Sequence, residues 1–179
     1  MKNIWKHFKT ITHHRHLVMR GCFQVGLIRQ GLLHDLSKYS PAEFWTGVRY
    51  FQGNRSPNSA ERDAVGYSTA WMHHKGRNMH HYEYWTDLDT VKDAYVPVEM
   101  PSRYLAEMMM DWIAACKTYE KEKYTDGSAL AYFQNTYEAS LLHPETARKL
   151  ELLLTMLRDK GERETFAFLR NTVLKDLPF

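Results

Sequence analysis

Gly31-Leu32-Leu33-His34-Asp35-Leu36-Ser37-Lys38-Tyr39-Ser40 sets a histidine and an aspartate side by side inside an apolar run. Charged groups are rarely fully buried unless they are paired or bound to metal. Leu32, Leu33 and Leu36 flank the pair and are expected to draw part of it inward. A neutral imidazole beside a carboxylate is also a ready ligand set for a divalent metal. On a helix Lys38 would share a face with His34 and Asp35. The decapeptide therefore has two readings, half of a metal site or a partly buried ion pair between Asp35 and Lys38.

The other histidines discriminate. The chain has 10, and most fall in short stretches at 13–16, 34–35, 73–74 and 80–81. Outside these stretches the composition is ordinary. A chain of 179 residues with 44% hydrophobic and 13% aromatic residues fits one packed globular domain spanning 1–179. A net charge of +3 without a long basic run gives no reason to expect specific nucleic-acid binding. Cys22 and Cys116 make no disulfide framework, so a reducing cytoplasm is the expected location. The polar N-terminus lacks the apolar core of a signal peptide, and no stretch approaches the ~20 apolar residues of a membrane span.

Helical spacing dominates the chain. A short helix is expected over 3–12 and a longer one over 14–29. Gly26 and Gly31 are weak points, with Gln30-Gly31 the candidate break, and a break is needed if His14 and His34 are to meet, because unbroken helix would hold them about 30 Å apart. Ser40-Pro41-Ala42-Glu43 reads as a capping box that starts a helix to about Phe51. Residues 52–59 read as a loop, with Ser59 capping a helix over about 60–74. Residues 75–82 read as a turn, and 83–99 carry no clear assignment. Pro101 opens a helix over 101–120 with Asp111 in its apolar run. Further helices are expected over 128–140, 145–160 and 162–174, with Gly161 separating the last two. No alternating strand of useful length is present, so the chain reads as an all-α helical bundle.

The candidate ligands run in the order His14, His34-Asp35, His73/His74, His80/His81, Asp111. Such side chains on facing helices can converge on a metal in a bundle. This order resembles that of the HD-domain metal-dependent phosphohydrolase superfamily, and His34-Asp35-Leu36-Ser37-Lys38 is similar to its signature. More narrowly, 33–44, 73–85 and 100–112 resemble an uncharacterised bacterial and phage family of HD-like proteins, over about residues 5–155. The resemblance implies an HD-type fold and a metal centre with one or two ions (Mn, Fe, Ni, Co, Zn or Mg). It puts His14, with His13 and His16 as competitors, together with His34, Asp35 and Asp111 around one metal. His74 and His81 would hold a second metal, with Asp35 bridging. These two lie seven residues apart, where dinuclear members separate theirs by a couple of dozen, so the metal number stays open.

Lys75, Arg77 and Asn78 lie between the histidine pairs and, with Lys38, are candidates for holding phosphate. The resemblance implies metal-assisted hydrolysis of a nucleotide or other small phosphate ester, with Asp35, Lys38 and Arg77 as catalytic residues. A non-haem di-iron oxygenase and a non-catalytic, metal-stabilised ligand-binding domain are the alternatives. Homo-oligomerisation is left open.

Overall fold

A computed structural model describes residues 2–135 and 140–179. The described residues form eight α-helices and one β-hairpin. Helix α1 (Lys2–Gln24) runs unbroken, because residues 12–14 contain no helix breaker. It ends where Gly26 takes φ +88°. There Leu27 N donates to Cys22 O (2.8 Å) and Gly26 N to Phe23 O (3.1 Å), the paired bonds of a glycine-terminated helix. The reversal therefore lies at Gly26, one of the two glycines read as weak points, and not at the Gln30-Gly31 step.

Gly31 has a different task. It lies within α2 (Ile28–Leu33), which folds back on α1. A Cβ at position 31 would stand 2.9 Å from Cys22 Cβ and 3.2 Å from Met19 O. Gly31→Ala is therefore expected to destabilise the fold by about 1–3 kcal/mol through overpacking. The check is a lower denaturant midpoint at unchanged slope; an unchanged midpoint would contradict this packing. Arg15 fastens the same joint, donating to Leu32 O and, at 3.1 Å, to His34 O.

After α2 the chain passes through Asp35, which is left-handed at φ 54°, into a 3₁₀ turn over Leu36–Tyr39. Aspartate tolerates this conformation better than most residues. The pair is held inside, as expected, but the leucines do not carry it there. Leu32, Leu33 and Leu36 are about half exposed, whereas His34 and Asp35 are 2% and 1% exposed. The polar pair is the part held inside, because its partners come from other helices.

Helix α3 (Pro41–Tyr50) has Pro41 in its first turn, but Ser40 makes no side-chain cap. Glu43 is turned to other partners, so no capping box forms. The expected 60–74 helix is two helices, α4 (Pro57–Val65) and α5 (Thr69–Lys75), divided at Gly66 with φ +87°. Ser56, not Ser59, caps α4, and Ser68 caps α5. Glu61 holds the two together, accepting from Ser68 Oγ (2.6 Å) and Thr69 Oγ1 (2.7 Å).

Residues 86–97 correct the absence of strands. Strands β1 (Thr86–Asp89) and β2 (Ala94–Pro97) pair antiparallel, with Thr86 opposite Pro97 and Asp89 opposite Ala94. They are short and largely exposed, so no apolar alternation marks them. The turn is held by Asp89 Oδ1, which accepts from Val91 N and Lys92 N.

Helix α6 (Ser102–Glu120) is the axis of the fold, buried on most of its circumference. Helix α1 packs along it, with Gly21 against Met110. On the other side lie α7 (Ser128–Asn135) and α8 (Pro144–Asn171), which add Leu130, Phe133, Leu150, Leu153, Leu154 and Leu157 to the core. The end of the expected 128–140 helix lies partly outside the described residues. Gly161 breaks helical geometry inside α8, as its sequence suggests, and a final 3₁₀ turn covers Val173–Lys175. Among the described residues no helix is long and apolar enough to cross a membrane.

Candidate metal centre

Four parts of the chain deliver polar side chains to one buried point. His14 comes from the middle of α1, and its competitors His13 and His16 lie on the exposed side. His34 and Asp35 come from the α2 turn. His74 comes from the last turn of α5, and His80 and His81 from the segment after it. Glu107 and Asp111 come from α6, one helical turn apart on one face. All of these side chains are buried.

Among the described residues the atoms fall into three groups, of which two share Asp35: His14, His34, Asp35 and Asp111, and Asp35, His74, His80 and His81; the third, His34, His80 and Glu107, lies behind them. Within each, the ligand atoms all lie within 4.8 Å of one another. In the first, His14 Nε2 is 2.8 Å from Asp111 Oδ1 and 3.8 Å from Asp35 Oδ2. His34 Nε2 is 3.3 Å from Asp35 Oδ2 and 3.5 Å from Asp111 Oδ1. In the second, the other carboxylate oxygen, Asp35 Oδ1, faces His74 Nε2 at 3.2 Å and His80 Nε2 at 3.4 Å. One carboxylate thus offers one oxygen to each group. Ligands about 2.0–2.3 Å from a common cation stand at comparable separations.

The hydrogen bonding divides into an inner and an outer set. His34 Nε2, His74 Nε2, His80 Nε2, His81 Nε2 and both carboxylate oxygens of Asp35 are buried without a hydrogen-bond partner among the described residues. Buried polar atoms are normally satisfied, and these orphans all point into the two groups. The outward nitrogens are satisfied. His34 Nδ1 donates to Glu107 Oε1 (3.0 Å), and His80 Nδ1 stands 3.3 Å from the same oxygen. His74 Nδ1 donates to Glu43 Oε2 (2.8 Å) and His73 Nδ1 to Glu43 Oε1 (2.7 Å). A carboxylate behind a ligating imidazole fixes its tautomer and orientation. The residues present therefore fit a divalent metal in donor type, spacing and outer support.

Charge state agrees with that fit. Burial holds the His14 and His81 imidazoles below the usual histidine range, aided by Lys38 at His14 and by His80 and His74 at His81. Both are therefore neutral and ligand-competent. Burial opposes ionisation of Asp35, but His34, Lys38 and His74 outweigh it and keep the carboxyl well below the usual range. Glu107 is held at about 2 in the same way, its burial outweighed by His34 and His80. Burial disfavours a charged His34, yet Asp35, Asp111 and Glu107 raise its pKa well above the usual value. A proton there occupies ground that a metal would take.

The ion pair of the plainer reading is also present, with Lys38 Nζ 2.5 Å from Asp35 Oδ2. It pairs a charge with one oxygen and leaves the imidazoles around Asp35 unexplained. Of the other cations named from sequence, Arg77 donates to His73 O at the end of α5. The Asn78 amide donates to Ser37 Oγ and His74 O, bracing His74. Neither of these side chains, nor Lys75, lines the cavity beside the cluster, whereas Lys38 and Arg55 do.

Glu43 and Glu107 join the site without having been singled out in sequence, and of the alternatives His80/His81 both reach it. Glu107 carries the one available signal, a carboxylate one turn before Asp111 in an apolar run. Glu107→Gln is expected to weaken metal binding about 10–100-fold, the usual effect of losing an outer partner. Competition against a chromogenic chelator measures it, and unchanged affinity would remove Glu107 from this role.

The model of DUF5662, a family of unknown function, matches residues 3–156. The chain belongs to the DUF5662 family. No curated protein and no solved structure matches it. The span matched by DUF5662 contains every residue of both ligand groups together with Glu43 and Glu107.

Proposed function

We propose that this DUF5662 protein is a metal-dependent phosphohydrolase of the HD type, acting on a nucleotide or other small phosphate ester. The observation that carries the reading is the pair of ligand groups sharing Asp35, with orphaned inner atoms and braced outer ones, beside a cavity of about 410 Å³. A bound divalent cation would supply a water of lowered pKa and polarise the phosphoryl group. Asp35 presents one oxygen to each half of the site and orients the attacking water. Lys38, on the cavity wall, neutralises charge on the phosphoryl oxygens. Arg55 lines the same cavity and takes the phosphate-facing part that the sequence suggests for Lys75 and Arg77. Three imidazoles in the second group favour Fe, Ni or Zn over Mg. Buried, unlinked Cys22 and Cys116 support a reducing cytoplasm as the location.

One observation favours a second reading, a non-haem di-iron oxygenase. The second group has more histidines than carboxylates, a donor set that suits iron. Turnover separates the two. The hydrolase releases inorganic phosphate from a phosphoester panel with Mn²⁺, Co²⁺ or Ni²⁺, and His34→Ala abolishes the release. Oxygen consumption that requires iron, with no phosphate release from any ester, would overturn the hydrolase reading.

A further inference from the structure

Charge is spread unevenly along the chain. Residues 1–60 hold nine Lys and Arg against two carboxylates, whereas 61–179 hold 15 against 19. Both early carboxylates, Asp35 and Glu43, are buried. The surface that α1, α2 and α3 turn to solvent therefore carries cations and no carboxylate of its own.

The outer face of α1 gathers these cations among aromatic rings. Trp5, Lys9, His16, Arg20 and Phe23 recur at helical spacing, and all are exposed. On the opposite face His7, His14, Val18 and Cys22 are buried. Trp5 is 61% exposed, stacks on Phe8 at 5.6 Å and has Lys9 Nζ 5.5 Å over its ring. Phe8 meets Tyr39 edge-on at 5.9 Å, and Arg15 on the same side of α1 holds the α2 turn through Leu32 O and His34 O. The aromatic edge thereby continues onto that turn, where Ile28, Leu32, Leu33 and Leu36 are each about half exposed around an exposed Arg29. Exposed apolar groups gathered in this way mark an interaction surface.

The chemistry selects the occupant. Cations without carboxylates call for an anionic partner. A nucleic acid would leave the four aliphatic side chains unused, because they neither stack on bases nor pair with phosphates. A second copy of the chain would set cations against cations. An anionic lipid surface answers both parts of the face. Its headgroups take Lys and Arg, and its boundary with the acyl chains takes Trp and Leu.

We propose that the α1–α2 face docks this protein peripherally on an anionic phospholipid bilayer. Lys9, Arg20 and Arg29 meet headgroup phosphates, while Trp5, Leu32 and Leu33 enter the interface. The docking is independent of the chemistry at the metal centre.

Sedimentation of the full chain with large vesicles tests this, comparing pure phosphatidylcholine with phosphatidylcholine carrying about 30% phosphatidylserine. Each Lys or Arg at such a surface is worth about fivefold in partitioning. The anionic vesicles should therefore bind at least ~25-fold more tightly than the neutral ones, and less so as salt is raised. Lys9→Glu with Arg20→Glu should remove at least ~25-fold of that binding. Lys160→Glu with Arg163→Glu makes the same charge change at exposed positions of α8 and should leave binding close to wild type. Leu32→Ser with Leu33→Ser keeps every charge and should cost about tenfold. Circular dichroism checks that each variant is folded, and the comparison of the two lipids needs only the wild type. Wild-type binding that is absent or equal for the two lipids would overturn the proposal. An equal loss from the α8 pair, or wild-type binding by the serine variant, would also overturn it. So would binding to single-stranded DNA without binding to anionic vesicles.

Discussion

Asp35→Asn is expected to empty both halves of the metal cluster at once. Each carboxylate oxygen faces a different ligand group, Oδ2 toward His14 and His34 and Oδ1 toward His74 and His80. An amide keeps the shape, loses the charge and turns one ligand atom into a donor. Losing even an outer partner costs about 10–100-fold in metal affinity, so a shared inner ligand should cost more than ~100-fold in each half. Asp111→Asn should empty only the first half and His80→Ala only the second. Metal content per chain, measured beside a circular dichroism check of folding, distinguishes the three variants. Folded Asp35→Asn protein with wild-type metal content would remove Asp35 from the bridge. The substitution also leaves the half-buried Lys38 without its partner. Lower stability should therefore accompany the metal loss.

Chelation is expected to produce the second large effect. Asp35, Glu43, Glu107 and Asp111 are all buried, and Lys38 pairs with Asp35. A cation that binds only the folded chain adds about 4 kcal/mol of stability at a thousandfold excess over its Kd. For a chain of this size, 1 kcal/mol corresponds to roughly 2–4 °C in Tm. EDTA should therefore lower Tm by about 8–16 °C, and re-added metal should restore it. An unchanged Tm in protein stripped of metal would mean that the ion contributes nothing to the fold.

What can be read in the sequence follows physical lines. The helices of the core announce themselves through apolar spacing, as α6 does with Leu105, Met108, Met109 and Trp112. The inner residues stand out for a related reason. His34, Asp35 and Asp111 are polar groups inside apolar runs, and His74 and His81 belong to paired histidines.

The supporting residues carry no such mark. Glu43 sits where a capping box would put a glutamate, so its bonds to His73 and His74 are invisible until α5 is packed against α3. Glu107 looks like an ordinary helical acid until His34 and His80 arrive from distant segments. Gly31 looks like a breaker because composition cannot separate a glycine needed for its dihedral angles from one needed for close approach. Gly26 is the former and Gly31 the latter. The hairpin over 86–97 escapes for want of a buried face, since its strands contribute little to the core.

Elemental analysis of protein purified without added metal, then offered Mn²⁺, Fe²⁺, Co²⁺, Ni²⁺ and Zn²⁺ in turn, tests the central claim most directly. The two ligand groups sharing Asp35 predict two ions per chain for the preferred metal, and fewer in Asp35→Asn. A folded wild-type chain that retains none of these metals in stoichiometric amount would contradict the account.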